Sequence, residues 1–333
     1  MNPILVVVLR VLIALGLMLA NGVVLIYMLR KVLAHLHLRL DPMENGWHGA
    51  AQTVFDVLKL LTKEDPTPAA VDKALFFIAP AVVVIPSLAA YAAIPFGSEL
   101  AIADFDLGLL YTFAVMAIIP LGILMAGWAS NNKWSLIGAM RAVGAQVTYE
   151  VPMLMAALPV AMMARSLNLG DIVAAQHSVW FIVNIPAFIL FFIAGLIESG
   201  QTPFDLTEAE SELVCGFATE YSAMKFGLLF LSEFSNLFIF AALLVTLFFG
   251  GWQVPFVPAE TVNAIGFVAP AVFMLKTYLM IAVLMVIRGT LPRVRVDQLL
   301  ALGWKFLLPA SMVWMMVTAL VLKLGSVWLG GAQ

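Results

Sequence analysis

The chain has one cysteine, Cys215, and four histidines in 333 residues. A lone thiol cannot close an internal disulfide or hold an iron–sulfur cluster, and zinc sites need several thiolate or imidazole ligands. The histidines do not supply them. His35 and His37 are two positions apart, His48 and His177 stand alone, and none forms the i, i+4 pair that sets two ligands on one helix face. Any redox centre therefore belongs to another chain, and no metal site is expected on this one. Charge is equally scarce. Only 11% of residues are charged, against about 25% in soluble domains. The 17 Lys+Arg are balanced by 20 Asp+Glu, which leaves no basic face for nucleic-acid phosphates.

What is present is apolar length. Hydrophobic residues make up 63% of the chain, and mean hydropathy is +1.03, so the solvent is mainly lipid. Apolar runs bounded by charges or Pro/Gly predict about eight membrane helices: Ile4 to Leu29, Ala74 to Ile94, Leu107 to Ala129, Met140 to Ala164, Val179 to Glu198, Tyr221 to Phe249, Ala264 to Arg288 and Trp304 to Leu329. The first run lacks a basic leader and is too long for a signal-peptide core, so it reads as a retained span. The expected fold is an all-α polytopic membrane protein forming a single transmembrane domain over residues 1–333. No internal repeat of the kind seen in many secondary transporters is visible.

Lys and Arg concentrate on one side. The odd-numbered loops and their flanks hold Arg30, Lys31, Arg39, Lys59, Lys63, Lys73, Lys133, Arg141, Lys225, Arg288, Arg293, Arg295 and Lys305, whereas the other side keeps little beyond Arg10, Arg165 and Lys323. By the positive-inside rule the odd loops are cytoplasmic and both termini are periplasmic. Arg10 reads as a side chain snorkelling to the outer face. Two cytoplasmic segments are more than connections. Between Trp47 and Thr62, Val54, Phe55, Leu58 and Leu61 recur at helical spacing, which predicts an amphipathic interfacial helix. From Glu198 to Tyr221 runs a long acidic loop.

Six carboxylates fall within 23 residues there, Glu198, Asp205, Glu208, Glu210, Glu212 and Glu220, with no Lys or Arg before Lys225. Close like charges hold protons more tightly and share them. Asp205 with Glu208 also fits a helix capping box, a purely structural role. Capping does not extend to Glu212 and Glu220, or to Glu198 at the end of a span. Glu150 and Glu233 fall within predicted spans, where an ionisable group costs at least ~2.5 kcal/mol. Lys276 is similarly deep. It either joins a chain of proton-exchanging groups or neutralises an acid in a static pair.

The acidic segment TPFDLTEAESELV at 202–214, followed by TEYSAMKF at 219–226, resembles the signature of the H subunit of bacterial NADH:quinone oxidoreductase, the counterpart of mitochondrial complex I subunit 1. Further matches are DVLKLLTKED at 56–65, GWASNNKWSLIGAMRAV at 127–143, VTYEV at 147–151 and IRGTLPRVRVDQLLALGWKFLLP at 287–309. The resemblance implies a translocase subunit in the bacterial inner membrane, with no redox centre of its own. It would form much of a quinone tunnel with subunits of the hydrophilic arm. Glu150, Glu198, Glu208, Glu210, Glu212, Glu220 and Glu233 would line a proton path. Arg39, Asp56, Lys59, Lys63, Asp65, Phe204 and Asp205 would lie in the quinone-tunnel region. FMN and iron–sulfur clusters would sit only on partner subunits, and small membrane and antiporter-like subunits would be neighbours.

The sequence departs from the family pattern at three places, the first being Leu29-Arg30 after the first span, where the family has Glu-Arg. HLRLDPMENG at 37–46 carries Asp41 and Glu44 where the family has Gly and Arg, and Gln201 replaces the Arg before Pro-Phe-Asp. Loss of that arginine removes a cation from the acidic loop. Two other readings keep the fold or the acids: a membrane subunit of a related hydrogenase or ferredoxin-linked dehydrogenase, and an independent ion or solute carrier. The hydrogenase relatives carry a histidine-containing version of the acidic loop, which favours the quinone enzyme.

Overall fold

The computed structural model describes residues 3–97, 100–176, 181–205, 213–255 and 267–330. Its regular structure is helical apart from one isolated antiparallel bridge, Pro95 with Ala101. In chain order the helices are α1 (Pro3–Leu36), α2 (Gln52–Thr62), α3 (Lys73–Ala93), α4 (Gly108–Met116), α5 (Ile119–Ala129), α6 (Lys133–Ala164), α7 (Leu169–Ala175), α8 (Ile185–Glu198), α9 (Ala223–Phe248), α10 (Val268–Thr290), α11 (Val296–Leu302) and α12 (Leu308–Gly330). With α4–α5 and α11–α12 each counted as one, seven helical stretches among the described residues are long and apolar enough to cross a membrane, and α8 is a shorter apolar helix. The chain is a polytopic helical membrane protein, as such segments must satisfy their backbone groups internally in lipid.

Helix ends differ from those expected, for physical reasons. α1 runs to Leu36, past the Leu29 boundary, and α6 starts at Lys133 rather than Met140. Charges such as Arg30, Lys31 and Arg141 end an apolar run but do not end a helix, because long basic side chains reach to the interface. Asn132 starts α6 instead, accepting the backbone N–H of Trp134 at 3.0 Å. The third span breaks between Met116 and Ile119, with Pro120 in the first turn of α5. The fifth begins at Ile185 rather than Val179, with Pro186 in its first turn. A π-helical turn at Gly303–Leu307 joins α11 to α12, so the last span starts at Val296 rather than Trp304. For the seventh, α10 begins at Val268; residues 264–266 lie outside the described residues.

α9 is the central element. Every residue from Phe234 to Phe248 is buried, and α1, α2, α3, α7, α8 and α10 pack against it. α6 packs against α5, α8 and α12. Gly195 lets α8 approach α9 closely: a Cβ there would overlap the Phe240 ring. In contrast, α1 keeps an apolar face from Ile4 to Ile13 exposed.

Candidate functional site

Where α6, α8 and α9 meet α3, the packing leaves a cavity of about 50 Å³ lined by Gln146, Glu198, Ser232, Glu233 and Asn236 among apolar side chains. That is room for a few water molecules. Glu198 is the last residue of α8 and is buried, and its Oε2 has no hydrogen-bond partner among the described residues. The same holds for Oε1 of Gln146, also buried and on the same wall. Gln146 lies one turn before Glu150 on α6, and the half-buried Glu150 acts electrostatically on Glu198. On the far side Ser87 and Ser232 bring their hydroxyls to 2.6 Å, and Ser87 donates to Oδ1 of Asn236 at 3.0 Å. Glu198 and Glu233 therefore line one cavity, and Glu150 on α6 acts on Glu198 beside it.

The cation that the linear sequence lacks beside these acids arrives from the end of α10. Arg288 donates from Nη1 to Oε1 of Gln201 at 2.8 Å and stands 3.6 Å from Oε1 of Glu233. Arg293 donates to Oδ2 of Asp205 at 3.2 Å, and the Val294 backbone N–H donates to the Pro203 carbonyl at 2.9 Å. The 201–205 segment is thus strapped to the 288–294 segment. In place of an arginine, position 201 holds a glutamine that accepts from another arginine of the same chain. Glu220 lies apart from the cavity, half-buried, accepting from Nδ2 of Asn132 at 2.7 Å. Glu208, Glu210 and Glu212 lie outside the described residues.

The residues expected in the quinone-tunnel region stand on several elements, and some of them are in ion pairs. Asp56 on α2 pairs with Arg30 of α1 at 2.7 Å and accepts from Gln52. Asp65 pairs with Lys225 at the start of α9 at 2.8 Å, and the Lys225 ammonium sits 3.7 Å from the centroid of the Phe77 ring. Lys31 pairs with Asp41 at 2.6 Å, a contact that holds the Asp41 carboxyl below its ordinary value of 3.8. Arg39, Lys59 and Lys63 are exposed, Phe204 is half-buried and Asp205 is buried against Arg293. α2 packs on α1 and α9 with Val54, Phe55, Leu58 and Leu61 left exposed.

Two points go beyond the sequence reading. The first is Lys276, whose ammonium donates to the carbonyls of Phe249, Gly251 and Gln253, closing the C-terminal end of α9. A cation there complements the helix dipole and its orphan carbonyls. The second is an omission. Gln146, Ser232 and Asn236 were legible as neighbours of the acids, since they stand at helical spacing from Glu150 and Glu233 or next to them in the chain.

Comparison with known proteins agrees with this architecture. A family model described as NADH dehydrogenase matches residues 8–319. The NADH-quinone oxidoreductase H subunit of Anoxybacillus flavithermus is 47% identical over 300 residues, 89% of this chain and 87% of that protein. The H subunit from Geobacillus kaustophilus is 46% identical over 295 residues, 88% and 86% of the two chains. That of Dehalococcoides mccartyi is 39% identical over 305 residues, 91% and 83%. A helical membrane bundle matched along nearly all its length in this way belongs to the NADH dehydrogenase family, the family of the NADH-quinone oxidoreductase H subunits.

Proposed function

We propose that the chain is the membrane subunit of a proton-translocating NADH:quinone oxidoreductase. It forms the quinone tunnel with the hydrophilic arm and couples quinone reduction to proton movement through buried carboxylates. The observation that carries this reading is the buried carboxylate oxygen of Glu198, which has no hydrogen-bond partner among the described residues and faces a cavity shared with Glu233. A static ion pair would leave no such atom, because an unsatisfied buried polar group costs about 1–3 kcal/mol. A carboxyl that gains and loses a proton to cavity water has a use for it.

Quinone reduction takes up two electrons and two protons; electrons arriving ahead of the protons, or protons drawn from side chains nearby, change the charge beside the 201–205 segment. Arg288 touches that segment through Gln201 and faces Glu233. A shift of this guanidinium between the two partners changes the proton affinity of Glu233 and, through the cavity, of Glu198 and Glu150. Such coupling operates only if the two positions differ in proton affinity. Glu208, Glu210, Glu212 and Glu220 extend the path along the acidic loop. Arg39, Asp56, Lys59, Lys63, Asp65, Phe204 and Asp205 belong to the tunnel and its rim, where α2 meets α1 and α9. The termini face the periplasm, the charged rim faces the cytoplasm, and the chain forms a single transmembrane domain. Partners are the quinone-site and terminal-cluster subunits of the hydrophilic arm, the small and antiporter-like membrane subunits, and lipid.

The test is Glu198→Gln and Glu233→Gln in the assembled enzyme, reading NADH-driven quinone reduction and proton translocation together. Each variant is expected to lose about tenfold or more of proton translocation. Full reduction and full translocation in both would end this reading.

A further inference from the structure

Away from the acidic cavity, at the end of the bundle holding the N-terminus of α1, two hollows share one wall. One, of about 470 Å³, is polar and is lined by Arg10, Asp104, Asn168 and Asp171 among others. The other, of about 420 Å³, is apolar, with Arg10 at its edge and Ile13, Leu17, Phe96, Ile102 and Met274 along it. Both fall in the size range of built small-molecule sites.

The charges here are unbalanced locally. Arg10 is exposed and has neither a hydrogen bond nor an ion pair among the described residues. Asp104 accepts from Nδ2 of Asn168 at 2.7 Å and Asp171 from the Ser166 hydroxyl at 2.9 Å. These partners are neutral, and neither carboxylate has a cation within salt-bridge distance among the described residues. A polar hollow with a guanidinium and two carboxylates, opening onto an apolar groove, therefore has the division of a phospholipid: head at one end, chain at the other.

We propose that this place binds an aminophospholipid. Its phosphate meets Arg10, its primary ammonium meets Asp104 and Asp171, and one acyl chain lies in the groove beside Ile13, Leu17 and Met274. Arginine suits the phosphate because its planar fork donates two parallel bonds. The acids decide the head group: phosphatidylglycerol offers hydroxyls but no cation, so its net negative charge would face two carboxylates uncompensated. The groove admits a chain because lipid tails gain most from continuous apolar walls.

The intact complex, reconstituted in phosphatidylcholine nanodiscs doped with a phosphatidylethanolamine carrying a photoactivatable acyl chain, tests this. Adducts are mapped by peptide mass spectrometry. Label is expected on peptides holding Ile13–Leu17 or Met274. Arg10→Gln is expected to reduce it about tenfold, with Arg10→Lys recovering only part of the loss, since lysine keeps the charge but not the fork. Asp104→Asn is expected to weaken the phosphatidylethanolamine probe and strengthen the matching phosphatidylglycerol probe. If a variant fails to assemble, competition on the unaltered complex decides: unlabelled phosphatidylethanolamine displaces the probe and phosphatidylglycerol does not. Labelling indifferent to Arg10→Gln and Asp104→Asn would overturn the site. Equal labelling by phosphatidylglycerol would overturn the head-group assignment, and displacement only by a quinone with an isoprenoid tail would overturn the lipid.

Discussion

The rim around α2 and the cavity between α6, α8 and α9 use the same kinds of charged side chain to different ends. At the rim the pairs are one to one: Arg30 with Asp56, Lys31 with Asp41, Lys225 with Asp65, at 2.6 to 2.8 Å. In the cavity Glu198 keeps a buried oxygen with no partner among the described residues, and Glu233 faces an arginine 3.6 Å away that already donates to Gln201. Matched pairs fix helices relative to one another. A buried acid oxygen without such a partner is expensive to keep, and that cost is what the proposed proton role would explain.

The contrast is broken most severely at the cavity. Replacing Glu198 by Gln is expected to lower proton translocation about tenfold or more, while Asp41→Asn leaves it within about twofold, since an ion pair at the rim contributes little beyond local order. Equal losses from both, measured in proteoliposomes, would erase the distinction. Next in size is Gly195→Ala. With the new Cβ overlapping the Phe240 ring, the α8–α9 contact must open, and overpacking of this kind costs about 1–3 kcal/mol; a lower unfolding midpoint of the purified complex is the check. Asn236→Leu removes one of the acceptors that the Ser87 hydroxyl has in a buried cluster, the others being the Val83 carbonyl and the Ser232 hydroxyl, with an expected loss of about 1 kcal/mol. A thermal midpoint unchanged by that substitution would mean the hydroxyl finds another partner.

The smallest effect sharpens the rim side. Lys31 depresses the Asp41 carboxyl below 3.8 when the chain is folded, chiefly through their direct hydrogen bond. The stabilisation is therefore fully present above that ordinary value and fades as pH falls through the lowered one. The unfolding midpoints of the unaltered chain and Asp41→Asn are expected to differ by a constant amount from neutrality down to about pH 3.8 and to converge below it. A gap that closed near pH 6 instead would point to a histidine.

The membrane class and the order of spans were legible before any folding, because twenty-residue apolar runs have few other fates. The costly acids stood out for the same reason. The ends of α1 and α6 were misplaced, since hydropathy falls at Arg30 and Arg141 while helical hydrogen bonding continues. Gln201 read as a lost cation, because linear order hides that Arg288 folds back onto it from 87 residues away. Nor does linear order show that the carbonyls accepting from Lys276 lie at the end of a different helix.

Composition alone settled that this chain lives in lipid and that acids such as Glu150, Glu198 and Glu233 needed a reason to be there, because burying charge is costly whatever the fold. Which acid has a guanidinium opposite it, and which keeps a buried oxygen with no partner among the described residues, was decided only by tertiary packing. Those partners come from α3, α6, α8, α9 and α10, and their distances depend on how helices cross rather than on how residues are spaced along the chain.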